Sequence, residues 1–190
     1  MRNFIGCVLD RSGSMEMDGK IGEALGGFNR FLREQKAAVP DAEIVVTIFD
    51  DKIEDVYSGK IEDCPELTSK VFFARGMTML NDAIGSTISK IVSLSDQEED
   101  KAIILVITDG LENASMEYNG EKIKSMIEEG KNKGWEFIFL GCDEATIGKA
   151  QNMGFVSMEF DNSAVGIRSA YASISESSIA YFTQQKNEEP

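Results

Sequence analysis

The chain has 190 residues, 42% hydrophobic and 27% charged, with three Pro, which fits one globular domain able to bury a core without disulfides or structural metal. Its 33 Asp and Glu against 19 Lys and Arg give a net charge of −14; this argues against nucleic acid and anionic membrane as partners, since both are bound chiefly through Lys and Arg. The absence of any His excludes Ser-His-Asp and Cys-His catalysis, HExxH zinc sites and histidine pH switches.

In chain order, the first apolar run is Phe4 to Leu9, apolar on both faces as a central parallel strand requires. Ile21, Ala24, Leu25, Phe28, Phe31 and Leu32 then recur as one helical face, with Asp18 as the expected N-cap and Pro40 beyond the end. Ile44 to Phe49 is the second strand. Asp50 and Asp51 form a turn into a poorer strand, Lys52 to Tyr57, whose polar content suits an antiparallel edge. Residues 58–70 read as a polar connection without periodicity. Val71-Phe72-Phe73 leads to Gly76-Met77-Thr78 and a helix carrying Leu80, Ile84, Thr87, Ile88 and Ile91. Ile103 to Ile107, the most hydrophobic strand, ends at Thr108-Asp109-Gly110. A helix around Ile123, Met126 and Ile127, a strand from Trp135 to Leu140, a short helix near 143–152 and a strand from Phe155 to Phe160 follow. The last helix keeps Ile167, Tyr171, Ile174, Ser178 and Tyr181 on one face despite its many serines.

This alternation predicts an α/β fold: a doubly wound, Rossmann-like, mostly parallel six-stranded sheet with one antiparallel edge strand and helices on both faces. Residues 1–185 are read as a single domain and 186–190 as a frayed end. Cys7, Cys64 and Cys142 fit no zinc spacing and are read as reduced thiols. The opening MRNFIGCVLDRSGSM has too short an apolar stretch for a signal peptide, and no run approaches the roughly 20 residues of a membrane span. The expected setting is the cytoplasm.

In open sheets of this type, sites lie beyond the carboxyl ends of the strands, near the point where strand order reverses. The first strand runs straight into Asp10-Arg11-Ser12-Gly13-Ser14, a D-x-S-x-S pattern. Alone the pattern is weak, but it falls in the loop leaving a buried strand. The fourth strand ends in Asp109, and the loop before the second helix offers Thr78. Asp10, Ser12, Ser14, Thr78 and Asp109 are therefore hydroxyls and carboxylates from three loops, the oxygen donors that a hard divalent cation takes. Each has an ordinary alternative: local capping for Ser12 and Ser14, an N-cap for Thr78, a turn for Asp109-Gly110. Met15, Met77 and Met79 beside these loops are read as core filling rather than as an apolar rim.

VLDRSGSM, then GMTMLNDAI, then VITDGLENAS resemble a von Willebrand factor A-type (vWA) domain with its metal-ion-dependent adhesion site, over essentially the whole chain. The compact form resembles stand-alone bacterial and phage members. The resemblance implies that Ser12, Ser14 and Thr78 hold Mg²⁺ or Mn²⁺, with Ca²⁺ less suited, and that Asp10 and Asp109 act largely through water. It implies binding of a protein partner whose Asp or Glu carboxylate takes the free metal position, and no catalysis. Asp82, in the first turn of its helix, is either a dipole partner or a support to the metal cluster. Glu112 and Asn113 are expected at the rim. The alternative is a Mg²⁺-dependent hydrolase or phosphotransferase, for which Arg11 and Arg75 are the only basic candidates nearby.

Overall fold

Strands whose residues are apolar on both sides need a layer on each face, and the computed structural model supplies both. It describes residues 1–95 and 99–185; the expected frayed end, 186–190, lies outside the described residues. The strands are β1 (Asn3–Asp10), β2 (Glu43–Phe49), β3 (Ile53–Lys60), β4 (Lys101–Ile107), β5 (Glu136–Gly141) and β6 (Val156–Glu159). The helices are α1 (Lys20–Ala38), α2 (Leu80–Leu94), α3 (Gly120–Asn132), α4 (Glu144–Met153) and α5 (Ala164–Gln185).

The six strands lie in the order β3-β2-β1-β4-β5-β6. Every pairing is parallel except that of β2 with β3, as the polar edge strand predicts. Alternate residues of each central strand serve opposite layers. Ile5, Cys7 and Leu9 pack with Phe28, Phe31 and Leu32 of α1 and Ile167, Tyr171 and Ile174 of α5. Phe4 and Val8 pack on the other side with Ile84 and Ile88 of α2 and Ile123 and Ile127 of α3. The serines of α5 are compatible with this helix because Ser169, Ser173, Ser177 and Ser178 each donate to the carbonyl four residues back. No helix among the described residues is long and apolar enough to cross a membrane.

Two local expectations change. Asp18 does not cap α1: residues Gly13–Gly19 form an irregular 3₁₀ segment in which Asp18 has φ 54°, and Gly19, itself left-handed at φ 74°, precedes the helix. The N-cap position falls to Gly19, which has no side chain to offer, so no side-chain cap forms. The 58–70 connection is more built than its composition implies. β3 runs on to Lys60, one 3₁₀ turn spans Ile61–Asp63, and Ile61, Cys64 and Leu67 are buried under α1. Asn29 of α1 pins this stretch by exchanging two 2.9 Å hydrogen bonds with the Leu67 backbone. Irregular backbone held by side chains has no period for sequence reading to detect.

Strand order reverses between β1 and β4, since the chain builds outward through β2 and β3 before returning to β4 beside β1. The carboxyl ends of these two strands are where Asp10 and Asp109 stand.

Candidate metal centre

Asp10 closes β1 and is 2% exposed. Its carboxylate accepts from the Ser12 amide at 2.6 Å and from the Thr108 hydroxyl, which curls the first loop back over the strand end. Burial pushes the Asp10 carboxyl up to about 6, against the lowering effect of these hydrogen bonds. Ser12 is buried beside it, and its Oγ lies 3.2 Å from Ser14 Oγ. Ser14 Oγ donates in turn to Asp109 Oδ1 at 2.5 Å.

The second loop is fastened to the first along the backbone. The Gly13 amide donates to the Gly76 carbonyl at 3.2 Å and the Arg75 amide to the Arg11 carbonyl at 2.9 Å. Gly76 is required here: its φ is +69°, and a Cβ would sit 2.7 Å from Asp51 Oδ1. Thr78 follows, buried, its amide donating to Asn113 Oδ1 at 2.9 Å while the Asn113 amide donates to the Thr78 carbonyl at 3.1 Å. Asn113 is thus the bridge between second and third loops, a role beyond the rim position expected of it.

The loops converge at Gly110. A Cβ built there would lie 3.4 Å from Thr78 Oγ1, 3.5 Å from Ser14 Oγ and 3.8 Å from Asp10 Oδ2. All five expected residues therefore reach one small space, bounded by Ser12, Ser14, Thr78 and Asp109 in an open pocket and by Asp10 below. Among the described residues no group of three Cys, Asp or Glu is placed to hold a metal ion; the donors here are two carboxylates and three hydroxyls.

Asp82 and Glu112 do different work. The Asp82 carboxylate accepts from the amides of Met116, Glu117 and Tyr118 at 2.7, 2.9 and 2.7 Å. Glu112 accepts from the Ala114 and Ser115 amides, the Ser115 hydroxyl and, at 2.7 Å, the Asn81 amide at the start of α2. Both acids spend their lone pairs on building the third loop and docking it to α2. Of the three methionines, Met15 is buried as expected, but Met77 is 55% exposed beside Thr78, so it belongs to the rim rather than the core.

Two features were not anticipated. Lys20, the first residue of α1, is 4% exposed, and its ammonium is ion-paired with Asp109 Oδ2 and donates to Asn162 Oδ1 at 3.0 Å. The sequence carries only half of the signal. A cation at a helix N-terminus is disfavoured by the dipole, so a Lys there needs an acid, but nothing local singles out Asp109, 89 residues away. The second feature is an ion network beside the first two loops, buried at Arg11 and Asp50 and half-exposed at Arg75 and Glu54. Arg11, 1% exposed, donates to Asp50 at 2.7 Å, to Glu54 at 2.5 Å and to the Val71 carbonyl at 2.7 Å. Arg75 donates to the same two carboxylates at 2.6 and 2.9 Å. Asp50 does form the expected turn, accepting from the Lys52 amide at 2.8 Å, but it also clamps both arginines. Burial raises its carboxyl pKa, the Arg75 bond and other partners outweigh this, and the net shift is downward.

No family model matches the sequence, and no curated protein does. Among solved structures the chain is similar to the pilus adhesin SpaC of Lactobacillus rhamnosus GG, with TM-score 0.73 and 15% identity over 95% of this chain and 31% of that one. It is also similar to VWA2, the ArnB paralogue of Sulfolobus acidocaldarius (TM-score 0.63, 22% identity, 88% of this chain and 43% of that one). The vWF domain of the pilus tip protein Mfa5 of Porphyromonas gingivalis is a third (TM-score 0.66, 10% identity, 93% and 94%). The chain spans about a third of the SpaC chain and less than half of the VWA2 chain. At these identities the likeness is one of fold: the chain has the vWA fold.

Proposed function

We propose that this domain is a metal-dependent protein-interaction module, in which Ser12, Ser14 and Thr78 hold Mg²⁺ or Mn²⁺ with Asp10 and Asp109 in support, and a partner's Asp or Glu carboxylate completes the coordination. The observation that carries this is the convergence of three oxygens from the first two loops, those of Asp10, Ser14 and Thr78, within 3.8 Å of the Gly110 Cβ position in the third. The two serine oxygens, 3.2 Å apart, are close to the ~2.9 Å between neighbouring ligands of an octahedral Mg²⁺. Ca²⁺ takes six to eight oxygens at longer range and suits so small a donor set less well. A divalent cation held mainly by neutral hydroxyls keeps most of its charge for an incoming carboxylate. The adhesin and pilus-tip character of structural neighbours supports the same reading.

The hydrolase alternative gains nothing from the geometry, because Arg11 and Arg75 are both committed to Asp50 and Glu54 and Lys20 to Asp109, which leaves no basic group of the three free for a developing negative charge. Free thiols at Cys7, Cys64 and Cys142 support a reducing, cytoplasmic setting.

Calorimetric titration of metal-free protein with Mg²⁺ and Mn²⁺ is the test, and heat with a gain in melting temperature is expected. Binding has a defined pH dependence. Because Asp10 titrates near 6, affinity is full above that pH and falls as pH drops below it, with protons released on binding. The metal-free protein behaves oppositely. A raised carboxyl pKa contributes stability that is present below pH 3.8 and lost as pH rises through 6. Absence of heat and of stabilisation at millimolar metal and pH 7.5 would remove the proposal.

Lys20→Met provides a second check. The ammonium occupies one oxygen of Asp109 and repels a cation a few ångströms away. Charges that close interact by about 1 kcal/mol in bulk water and about 4 kcal/mol near a protein surface, so Mg²⁺ affinity is expected to rise on the order of tenfold. The metal-free variant is expected to melt lower, since the Asp109 carboxylate is then buried without its counter-charge. Unchanged affinity would mean that Lys20 and the metal do not share Asp109.

A further inference from the structure

An apolar cavity opens beside the metal loops, between α2, α3 and α4. Leu80, Leu111, Phe139 and Met153 supply its apolar lining and Asn81 and Lys149 part of its polar lining. We propose that this cavity receives an apolar side chain that the protein partner carries two residues away from its metal-seeking carboxylate, on an extended segment. The inference rests on the metal-dependent reading above and names the chemistry of its partner.

Continuity is the first argument. Leu111 lines both this cavity and the pocket over Ser12, Ser14 and Thr78, so a ligand seated at one reaches the other across a single side chain. In an extended segment, residues i and i+2 project from one face about 6.6 Å apart, so a spacing of two turns both side chains toward the protein.

The surrounding surface points the same way. Met77 and Leu111 are exposed large hydrophobics that line the metal-loop pocket together, and Met116, 87% exposed, follows in the third loop. Exposed apolar clusters of this kind mark interaction surfaces, and methionine adapts to its partner's shape. The third loop is also built before any partner arrives: Asp82 and Glu112 hold it by backbone hydrogen bonds, so the Leu111 wall need not be ordered on binding.

Charge selects the partner. Glu16, Asp18, Asp51 and Glu117 are exposed around this face. Of the cations nearest the metal loops, Lys20 is spent on Asp109, Arg11 and Arg75 on Asp50 and Glu54, and Lys149 of the cavity lining faces the Asp143 carboxylate. A partner can therefore place one carboxylate here, at the metal, while its neighbouring residues are favoured as apolar and its outer residues as basic. A uniformly acidic segment is repelled.

The test uses the full chain, labelled for amide and methyl NMR, in saturating Mg²⁺. The probes are the capped tripeptides acetyl-Asp-Gly-Leu-amide, acetyl-Leu-Gly-Asp-amide and acetyl-Asp-Gly-Gly-amide, with Asn in place of Asp as controls. Every Asp peptide is expected to shift the Ser12, Gly13 and Gly110 amides. At least one leucine peptide is expected to bind about tenfold tighter than the glycine peptide, a typical effect of burying one such side chain less its ordering cost, and to shift the Leu111, Leu80 and Met153 methyls. Gly120→Leu separates the two sites. A Cβ at Gly120 meets only Met153 Sδ, at 3.8 Å, so the longer side chain fills the cavity without touching the metal loops. It should erase the leucine advantage and leave acetyl-Asp-Gly-Gly-amide binding unchanged; if that variant loses amide dispersion, Met153→Ser serves instead, since Met153 lines the cavity and not the pocket over the metal loops. Equal affinity of leucine and glycine peptides, or leucine binding that survives the change of Asp to Asn undiminished, overturns the cavity assignment while the metal reading stands. Failure of every Asp peptide to shift the metal-loop amides overturns both.

Discussion

Ser14→Ala is expected to leave the chain folded and to remove its Mg²⁺ binding, and with it the Mg²⁺-dependent binding of carboxylate peptides. Ser14 lies exposed in the first loop, and its hydroxyl makes two contacts, one to Ser12 Oγ at 3.2 Å and one to Asp109 Oδ1 at 2.5 Å. Losing them from a surface loop changes stability by less than about 1 kcal/mol. The effect on metal is of another order. Mg²⁺ dehydrates reluctantly and demands a near-ideal octahedron, and loss of a group that merely orients a ligand already costs about 10–100-fold in affinity. Removing a ligand itself should exceed about 100-fold on the same scale. Calorimetry of wild type and variant, beside their thermal melts, reads both quantities. Equal Mg²⁺ affinity in the two proteins would show that the oxygens converging on Gly110 hold no metal. The partner side follows the same logic: Asn for Asp in the probe peptide keeps the shape, loses the charge, and should bind hardly better than a peptide with Ala there.

Much of this architecture is written in short-range pattern. β1, β2, β4 and β5 are legible because strands buried on both faces can be nothing but apolar, and β3 because its polar residues exclude such a position. The oxygens of the candidate metal centre are legible for a related reason. Asp10 directly follows one apolar run and Asp109 comes one residue after another, so the strands that reveal themselves also locate the acids. What stays hidden depends on contacts between residues far apart in sequence. Lys20 reads as one more polar residue of an amphipathic helix until its partner, 89 residues away, is in place. Arg11 sits inside the D-x-S-x-S motif, where an exposed cation is expected, and yet is 1% exposed; two carboxylates on the β2–β3 hairpin make that burial possible. Asp82, readable as a dipole partner for α2, instead collects three amides of a loop more than thirty residues on. Local chemistry identifies the groups, and topology decides whom they serve.

The Arg11 network explains how two flexible, polar loops hold their oxygens still, and it supplies the largest stability effect expected here. Asp50 Oδ2 receives both guanidinium groups, from Arg11 at 2.7 Å and Arg75 at 2.6 Å, and so ties the first loop to the second beside Gly13 and Gly76. The Arg11 and Arg75 guanidiniums also lie 5.7 and 5.2 Å from the Phe73 ring centroid, which closes the network from above. Asp50→Ala leaves a fully buried guanidinium with Glu54 as its remaining carboxylate partner. Removing one member of a buried pair costs about 3–5 kcal/mol, because the other charge stays behind in low dielectric; with Glu54 retained, the lower end of that range applies. For a chain of this length each kcal/mol lowers the melting temperature by about 2–4 °C, so a fall of roughly 6–12 °C is expected. The remedy identifies the cause. Replacing Arg11 by Met in the same chain removes the stranded charge, and the double variant Arg11→Met, Asp50→Ala should be more stable than Asp50→Ala alone, a coupling that independent sites cannot give. Acid should not mimic the mutation until low pH. The Asp50 carboxyl is held below its ordinary 3.8, so its contribution is present above that value and is lost only as pH falls further, through the lowered pKa. Mg²⁺ affinity should drop in the single variant as well, since the loops that present Ser12, Ser14 and Thr78 lose their common anchor. If Asp50→Ala melts with wild type, or if adding Arg11→Met makes it worse, the network is a surface ornament and the loops are ordered by their backbone bonds alone.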